Sequence, residues 1–129
     1  MSFELTLLLW SAVLGLVYAG TQGLILKADV GNDATIGARD SMPEQSVLSS
    51  RADRALRNFL ETYPVFVALV VVVELGHASD GWTQWGAGLY LGMRVVYLPL
   101  YLAGVRWLRT FSWNLATFGL ALIVIGVLV

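Results

Sequence analysis

The sequence contains no cysteine and a single histidine, His77. The absence of cysteine excludes structural disulfides, thiolate nucleophiles and cysteine-ligated metals. Because there is also only one histidine, we expect neither a zinc site nor another metal centre. Any nucleophilic sulfur in the chemistry of this protein must therefore come from another molecule.

Charged side chains are also scarce. They make up 13% of the 129 residues, whereas hydrophobic residues make up 57%. A soluble domain of this length would need far more polar surface. The formal net charge of -1 argues against nucleic acid as a partner. The composition therefore predicts an integral membrane protein surrounded by the lipid bilayer.

The hydrophobic residues are concentrated in four long segments. Two of them, residues 5–26 and 110–129, contain no charged side chain, and each meets the length of about 20 residues that a bilayer span requires. The other two, about residues 60–76 and 81–105, carry one or two internal charges. A cleaved signal would begin with basic residues, but Glu4 is the only charged side chain before the first segment. We therefore expect that segment to be a retained helix.

These segments predict an all-α membrane protein with a single domain, residues 1–129, folded as a four-transmembrane-helix bundle. Short links would make helices 2 and 3 antiparallel neighbours. Ser49 or Ser50 is the expected N-cap of helix 2. The helices are expected at about residues 4–26, 50–76, 82–103 and 113–129, with a polar loop at 27–49.

Basic residues outside these spans lie only around the first and third connections of the predicted bundle. The opposite side carries no lysine or arginine. The positive-inside rule therefore places the polar loop and the third connection in the cytoplasm and both chain ends outside. The basic residues concerned are Lys27, Arg39, Arg51, Arg54, Arg57, Arg106 and Arg109.

Four polar residues form a stripe at the start of helix 2. Their spacing of i, i+3, i+7 and i+10 keeps them within roughly a quarter of the helix circumference. The stripe continues directly into an apolar segment. Polar groups that enter a membrane are costly, so they usually mark a site or a partner. The residues of this stripe are Arg51, Arg54, Asn58 and Glu61.

Helix 3 is predicted to carry a matching stripe. Arg94 should lie at a depth similar to that of Glu61, so the two side chains are expected to form a buried ion pair. Tyr90, Tyr97 and Tyr101 fall on the same face of helix 3 as Arg94. The pair alone could serve only to fix the helix register. Together, the two facing stripes predict a pocket for a small polar anion that opens to the cytoplasm.

Both stripes resemble the signatures of a known family. Residues 51–64, RADRALRNFLETYP, are similar to the helix-2 signature of the membrane-associated proteins in eicosanoid and glutathione metabolism, the MAPEG family. Residues 94–101, RVVYLPLY, followed by Arg106 and Arg109, look like the second signature. The family includes microsomal glutathione transferases, leukotriene C4 synthase and microsomal prostaglandin E synthase. Chain length and predicted topology also agree, so the resemblance covers the whole chain.

The resemblance implies a homotrimer that binds glutathione between neighbouring subunits near the cytoplasmic face. A trimer would also hide the charges of helices 2 and 3 from lipid. Glutathione would supply the sulfur that the chain lacks. Arg109, with Arg106 as its rival, would stabilise the thiolate. The implied glutathione contacts are Arg51, Arg54, Asn58, Glu61, Arg94, Tyr97 and Tyr101.

The expected function is that of a glutathione-dependent transferase or peroxidase that acts on lipophilic electrophiles from the bilayer. The spacing from Tyr101 to the following arginines differs from that in the animal enzymes, which leaves a bacterial-type branch open. The expected location is a bacterial inner membrane, with the active site facing the cytoplasm. Two alternatives remain at this point. One is a non-catalytic lipid-binding or scaffold relative of the same fold. The other is a small carrier that uses the Glu61–Arg94 pair.

Overall fold

The computed structural model describes residues 1–31 and 46–129. It contains four helices, which confirms the predicted all-α fold with four helices: α1 (Phe3–Val30), α2 (Val47–Leu75), α3 (Gly81–Leu102) and α4 (Arg106–Leu128). Residues 32–45, the central part of the predicted loop with Arg39, lie outside the described residues.

Three of the four helices in the described part of the chain, α1, α2 and α4, are long and apolar enough to cross a membrane. Together with their apolar composition, this supports an integral membrane protein. The fourth predicted span, α3, is not among these three helices and stays a prediction. That helix has 22 residues, but it carries Arg94 and three tyrosines, which lower its apolarity.

All four helices begin earlier than the sequence predicted, and the difference is largest for α2 and α4. Helix α2 is capped by Ser46, whose hydroxyl accepts from the backbone N–H of Ser49 at 3.1 Å, so neither Ser49 nor Ser50 is the N-cap. Helix α4 begins at Arg106, well before the predicted start at residue 113. The chain turns through Gly104, whose φ of +73° suits glycine, and helical bonding resumes directly afterwards. Arg106 and Arg109 therefore belong to the first turn of α4.

Polar contacts at both ends show that the helices alternate in direction. Near the start of α1, the Glu4 carboxylate is 1% exposed and accepts from Ser79 at 2.7 Å and Thr83 at 2.8 Å. At the other end, Arg51 donates to the Leu102 carbonyl at 3.3 Å. The α2–α3 link therefore lies beside the N-terminus. We call the opposite end, where Arg51, Arg106 and Arg109 lie, the basic end.

Hydroxyl groups connect the helices within the apolar interior. Ser11 of α1 and Tyr63 of α2 lie within hydrogen-bond distance at 3.0 Å, as do Thr62 of α2 and Tyr90 of α3. Ser112 of α4 donates to a carbonyl of α3 at 2.7 Å. Such bonds fix the register of helices in a medium where the hydrophobic effect between them is weak.

Helices α3 and α4 make the closest approach in the bundle. A Cβ atom placed on Gly86 would lie 2.5 Å from the Gly119 carbonyl oxygen and 2.9 Å from the backbone nitrogen of Ile123. Only glycine leaves room for backbones this close, and small residues at helix interfaces serve this purpose in membranes. The pair Gly86 and Gly119 therefore fixes the position of α4 against α3.

Gly86→Ala should destabilise the protein by about 1–3 kcal/mol, because the added methyl group would press on backbone atoms that cannot move aside. Gly20→Ala is the matched control, since the described structure has nothing within 4 Å of a Cβ at Gly20. That change should be neutral or stabilising by up to about 1 kcal/mol. Thermal unfolding in detergent measures both effects. Equal stability of the two variants would contradict the proposed close packing.

Candidate functional site

Arg94 is fully buried at 0% exposure, inside a cage of aromatic rings. Its guanidinium carbon lies 4.3 Å from the ring centre of Tyr97, 5.4 Å from that of Phe59 and 5.7 Å from that of Tyr18. The Tyr18 hydroxyl also donates to the Arg94 carbonyl oxygen at 2.5 Å. A cation over ring faces within about 6 Å is stabilised, more strongly when it is desolvated. Residues from α1, α2 and α3 thus hold one cation in a fixed place.

Of the three guanidinium nitrogens of Arg94, only one has a hydrogen-bond partner among the described residues. Arg94 Nη1 donates to Asn58 Oδ1 at 3.1 Å. Its Nε and Nη2 atoms are buried and have no acceptor among the described residues. The expected ion pair with Glu61 is absent from the described part of the chain, and the Glu61 side chain is exposed. The predicted buried pair is therefore wrong for the single chain.

Helix geometry explains why Glu61 does not reach Arg94. At about 100° per residue, Arg51 and Asn58 point within about 20° of one another, whereas Arg54 and Glu61 point about 60° away from them. In the structure Arg51 and Asn58 are half-buried, whereas Arg54 and Glu61 are exposed. The boundary between the packed interior of the bundle and its outer surface therefore falls within the predicted stripe. Arg51 and Asn58 form its inner pair, and Arg54 and Glu61 form its outer pair.

The Arg51 side chain contacts the backbone of the α3–α4 connection. Besides its bond to Leu102, its guanidinium lies so close to Gly104 that a Cβ atom there would be 2.8 Å from Arg51 Nη2. Arginine side chains near the end of a helix commonly satisfy its free carbonyl groups. Arg51 therefore holds the end of α3 in this structure.

A small cavity of about 240 Å³ opens at the basic end. The Arg109 guanidinium lies over the Tyr101 ring at 4.6 Å, and the rings of Tyr101 and Tyr97 are 5.5 Å apart. Because Arg94 lies over Tyr97, the four side chains form a continuous series in the order Arg94, Tyr97, Tyr101 and Arg109. The cavity is lined by Asn58, Tyr97, Tyr101, Arg109, Thr110 and Trp113.

Arg106 does not take part in this cavity. Its side chain is exposed and lies over the Trp107 ring at 5.2 Å. The structure therefore brings together Asn58, Tyr97, Tyr101 and Arg109 beside Arg94. It leaves the other predicted site residues, Arg51, Arg54, Glu61 and Arg106, outside the cavity lining.

Sequence reasoning missed two residues of the lining, Thr110 and Trp113. Trp113 stands four residues after Arg109, and i, i+4 neighbours share a helix face. This spacing predicts a shared face for the two residues, but only if both lie in one helix, and the predicted start of α4 at residue 113 left Arg109 outside it. The Trp113 Nε1 atom is buried and has no acceptor among the described residues.

The buried side-chain groups that lack a hydrogen-bond partner among the described residues are all donors. They are Arg94 Nε, Arg94 Nη2 and Trp113 Nε1, and Trp113 lines the cavity together with the Arg109 cation. Among the described residues, the lining contains no carboxylate. Buried donors without acceptors are rare in folded proteins and call for an explanation. This arrangement suits a molecule that supplies several acceptor atoms and negative charge.

No curated protein and no solved structure matches the chain. A family model, described as the MAPEG family, matches residues 7–129, a range that includes every residue of the aromatic cage and of the cavity lining. This chain therefore belongs to the MAPEG family.

Proposed function

We propose that this protein is a glutathione-dependent membrane enzyme that transfers the glutathione thiolate to lipophilic electrophiles. Family membership supports a function of the membrane glutathione transferase and eicosanoid-metabolism type in general. The observation that carries the proposal is the set of buried donors of Arg94 and Trp113 that lack acceptors among the described residues, together with the Arg109 cation, which lines the same cavity as Trp113. Glutathione has two carboxylates and a thiol, so it offers the acceptors and the charge that these donors need.

Arg94 is proposed to bind a carboxylate of glutathione. Its free Nε and Nη2 atoms present the two parallel donors that arginine uses for bidentate binding of carboxylates. Asn58, already bonded to Arg94, fixes the orientation of the guanidinium. Tyr97 and Tyr101 provide the adjoining wall. Arg51, Arg54 and Glu61 remain proposed contacts at the rim, the last two from the exposed side of α2.

Arg109 is proposed to stabilise the glutathione thiolate. A neighbouring cation favours the charged form of a thiol and so lowers its pKa. The thiolate then attacks an electrophilic carbon: a carbon–sulfur bond forms, the leaving group departs, and the thiol proton passes to solvent. The same thiolate would support peroxidase chemistry, in which two glutathione molecules become a disulfide while a hydroperoxide is reduced to an alcohol and water.

We further propose that the active unit is a homotrimer with the site between subunits. The cavity of about 240 Å³ is smaller than the roughly 300 Å³ at the lower end of ligand pockets. Arg54 and Glu61 are exposed on the outer side of α2, and Glu61 directly precedes the uncharged residues 62–73. Leaving these charges in lipid would be costly. A neighbouring subunit would cover them and enlarge the cavity.

The positive-inside rule supports a cytoplasmic position for the basic end, and hence for the site. The alternative of a carrier that uses a Glu61–Arg94 pair has no support in the described residues, because the two side chains form no ion pair there. A non-catalytic relative of the family would bind ligand without forming a thiolate, so ultraviolet absorbance of the bound thiolate distinguishes it from the proposed enzyme.

Removal of the Arg109 cation tests the proposed mechanism. With purified protein, glutathione and a chromogenic aryl halide, Arg109→Ala should lower turnover at neutral pH by about 10- to 100-fold, because the thiol pKa rises by about one to two units. Turnover should partly recover at alkaline pH, and glutathione affinity should change less. Arg106→Ala is the control, since that exposed side chain lies outside the cavity. A fully active Arg109 variant beside an impaired Arg106 variant would reverse the assignment.

The oligomeric state can be measured directly by native mass spectrometry in mild detergent. We expect a trimer, because a trimer buries the outer charges of α2 between protein surfaces. Replacement of both outer charges, Arg54→Ala with Glu61→Ala, should alter the trimer fraction more than replacement of the ion pair between exposed Arg57 and half-buried Asp53, whose Nε and Oδ2 atoms are 3.2 Å apart. A monomeric or dimeric wild-type protein would refute this part of the proposal.

A further inference from the structure

The indole of Trp113 is an unexplained feature of the cavity. Buried tryptophan N–H groups normally find an acceptor, yet Trp113 Nε1 is buried without one among the described residues. The ring itself is well supported, since it packs against the cluster that contains Tyr97 and Leu98. The ring is therefore held in place by its surroundings, and because Trp113 lines the cavity, a molecule that fills the cavity is the candidate source of the acceptor.

The position of Trp113 restricts which acceptor that is. Trp113 and Arg109 are separated by one helical turn on the same face of α4, and both line the cavity. Asn58 and the tyrosines of α3 form the other wall. Arg94, the proposed carboxylate site, lies behind Tyr97. An anionic atom bound by Arg109 would therefore contact the side of the cavity that α4 forms, and the Trp113 indole is part of that side.

We propose that Trp113 Nε1–H donates a hydrogen bond to the thiolate sulfur of bound glutathione, and so shares the stabilisation of that anion with Arg109. This inference rests on the proposed function. A thiolate accepts a hydrogen bond more strongly than a neutral thiol, so the indole lowers the pKa of the bound thiol. Because the indole is uncharged, it lowers the pKa of the bound thiol without adding a second cation, which would need a charged partner of its own. Trp113 is accordingly a catalytic hydrogen-bond donor.

Trp113→Phe tests the proposal, because phenylalanine keeps an aromatic ring and removes the N–H. Thiolate formation is followed by ultraviolet difference absorbance against pH in the presence of glutathione. The pKa of the bound thiol should rise by about one pH unit. Trp107→Phe is the matched control on the same helix. Trp107 is 75% exposed and lies outside the cavity, so this variant should titrate as the wild type does.

A second measurement separates contact with sulfur from contact with the peptide. The probe is γ-glutamyl-alanyl-glycine, a glutathione analogue without sulfur, and binding is measured by calorimetry at neutral pH. Trp113→Phe should bind glutathione several-fold more weakly and bind the analogue as the wild type does. Equal weakening for both ligands would overturn the proposal, because the indole would then contact the peptide frame.

Wild-type protein provides a third readout if Trp113→Phe fails to fold. In protein with isotope-labelled tryptophan, the ring N–H resonance of Trp113 should move on addition of glutathione and stay in place with the sulfur-free analogue. An unmoved resonance, or an unchanged thiol pKa in Trp113→Phe, would overturn the role of Trp113 while leaving the proposed function intact. Absence of any thiolate signal in the wild type would overturn both.

Discussion

The burial of the Arg94 cation is the constraint on which the rest of the structure depends. Taking an ion out of water costs several kcal/mol even after relaxation, whereas a desolvated cation–π contact returns about 2 kcal/mol. Three rings surround Arg94, and Asn58 accepts one hydrogen bond. The cage therefore offsets the cost of burial but supplies no negative charge. The rings come from α1, α2 and α3 and belong to one packed cluster, so the packing of the rings themselves holds these three helices together around the cation.

The two ends of the bundle differ in whether their buried polar groups have hydrogen-bond partners. At the N-terminal end, Glu4 is buried but satisfied by Ser79 and Thr83, and Gly86 locks α4 against α3. At the basic end, Arg94 and Trp113 have buried donors without acceptors among the described residues. A satisfied polar cluster stabilises a fold, whereas buried donors without partners are costly unless a ligand completes them. This asymmetry supports the proposal of a binding site at the basic end.

Much of this architecture could be predicted from the sequence, because the length of apolar segments and the spacing of polar residues report directly on helices. The shared face of Arg94, Tyr97 and Tyr101 was predictable for the same reason. The division of the α2 stripe was not, since a separation of about 60° becomes decisive only once the edge of the bundle is known. Trp113 was not predicted as a site residue because the position at which α4 begins depends on Gly104 and its positive φ. The basic residues that follow Gly104 favoured a turn there rather than the start of a helix.

Arg94 is proposed to serve ligand binding at the expense of stability, and Arg94→Met tests this role most directly. Replacing a buried, poorly satisfied charge with an apolar side chain of similar length is often neutral or stabilising. We predict a thermal unfolding temperature equal to or above that of the wild type, together with a loss of at least about tenfold in glutathione affinity by calorimetry. A destabilised variant that binds glutathione as well as the wild type would contradict the account, because Arg94 would then be structural.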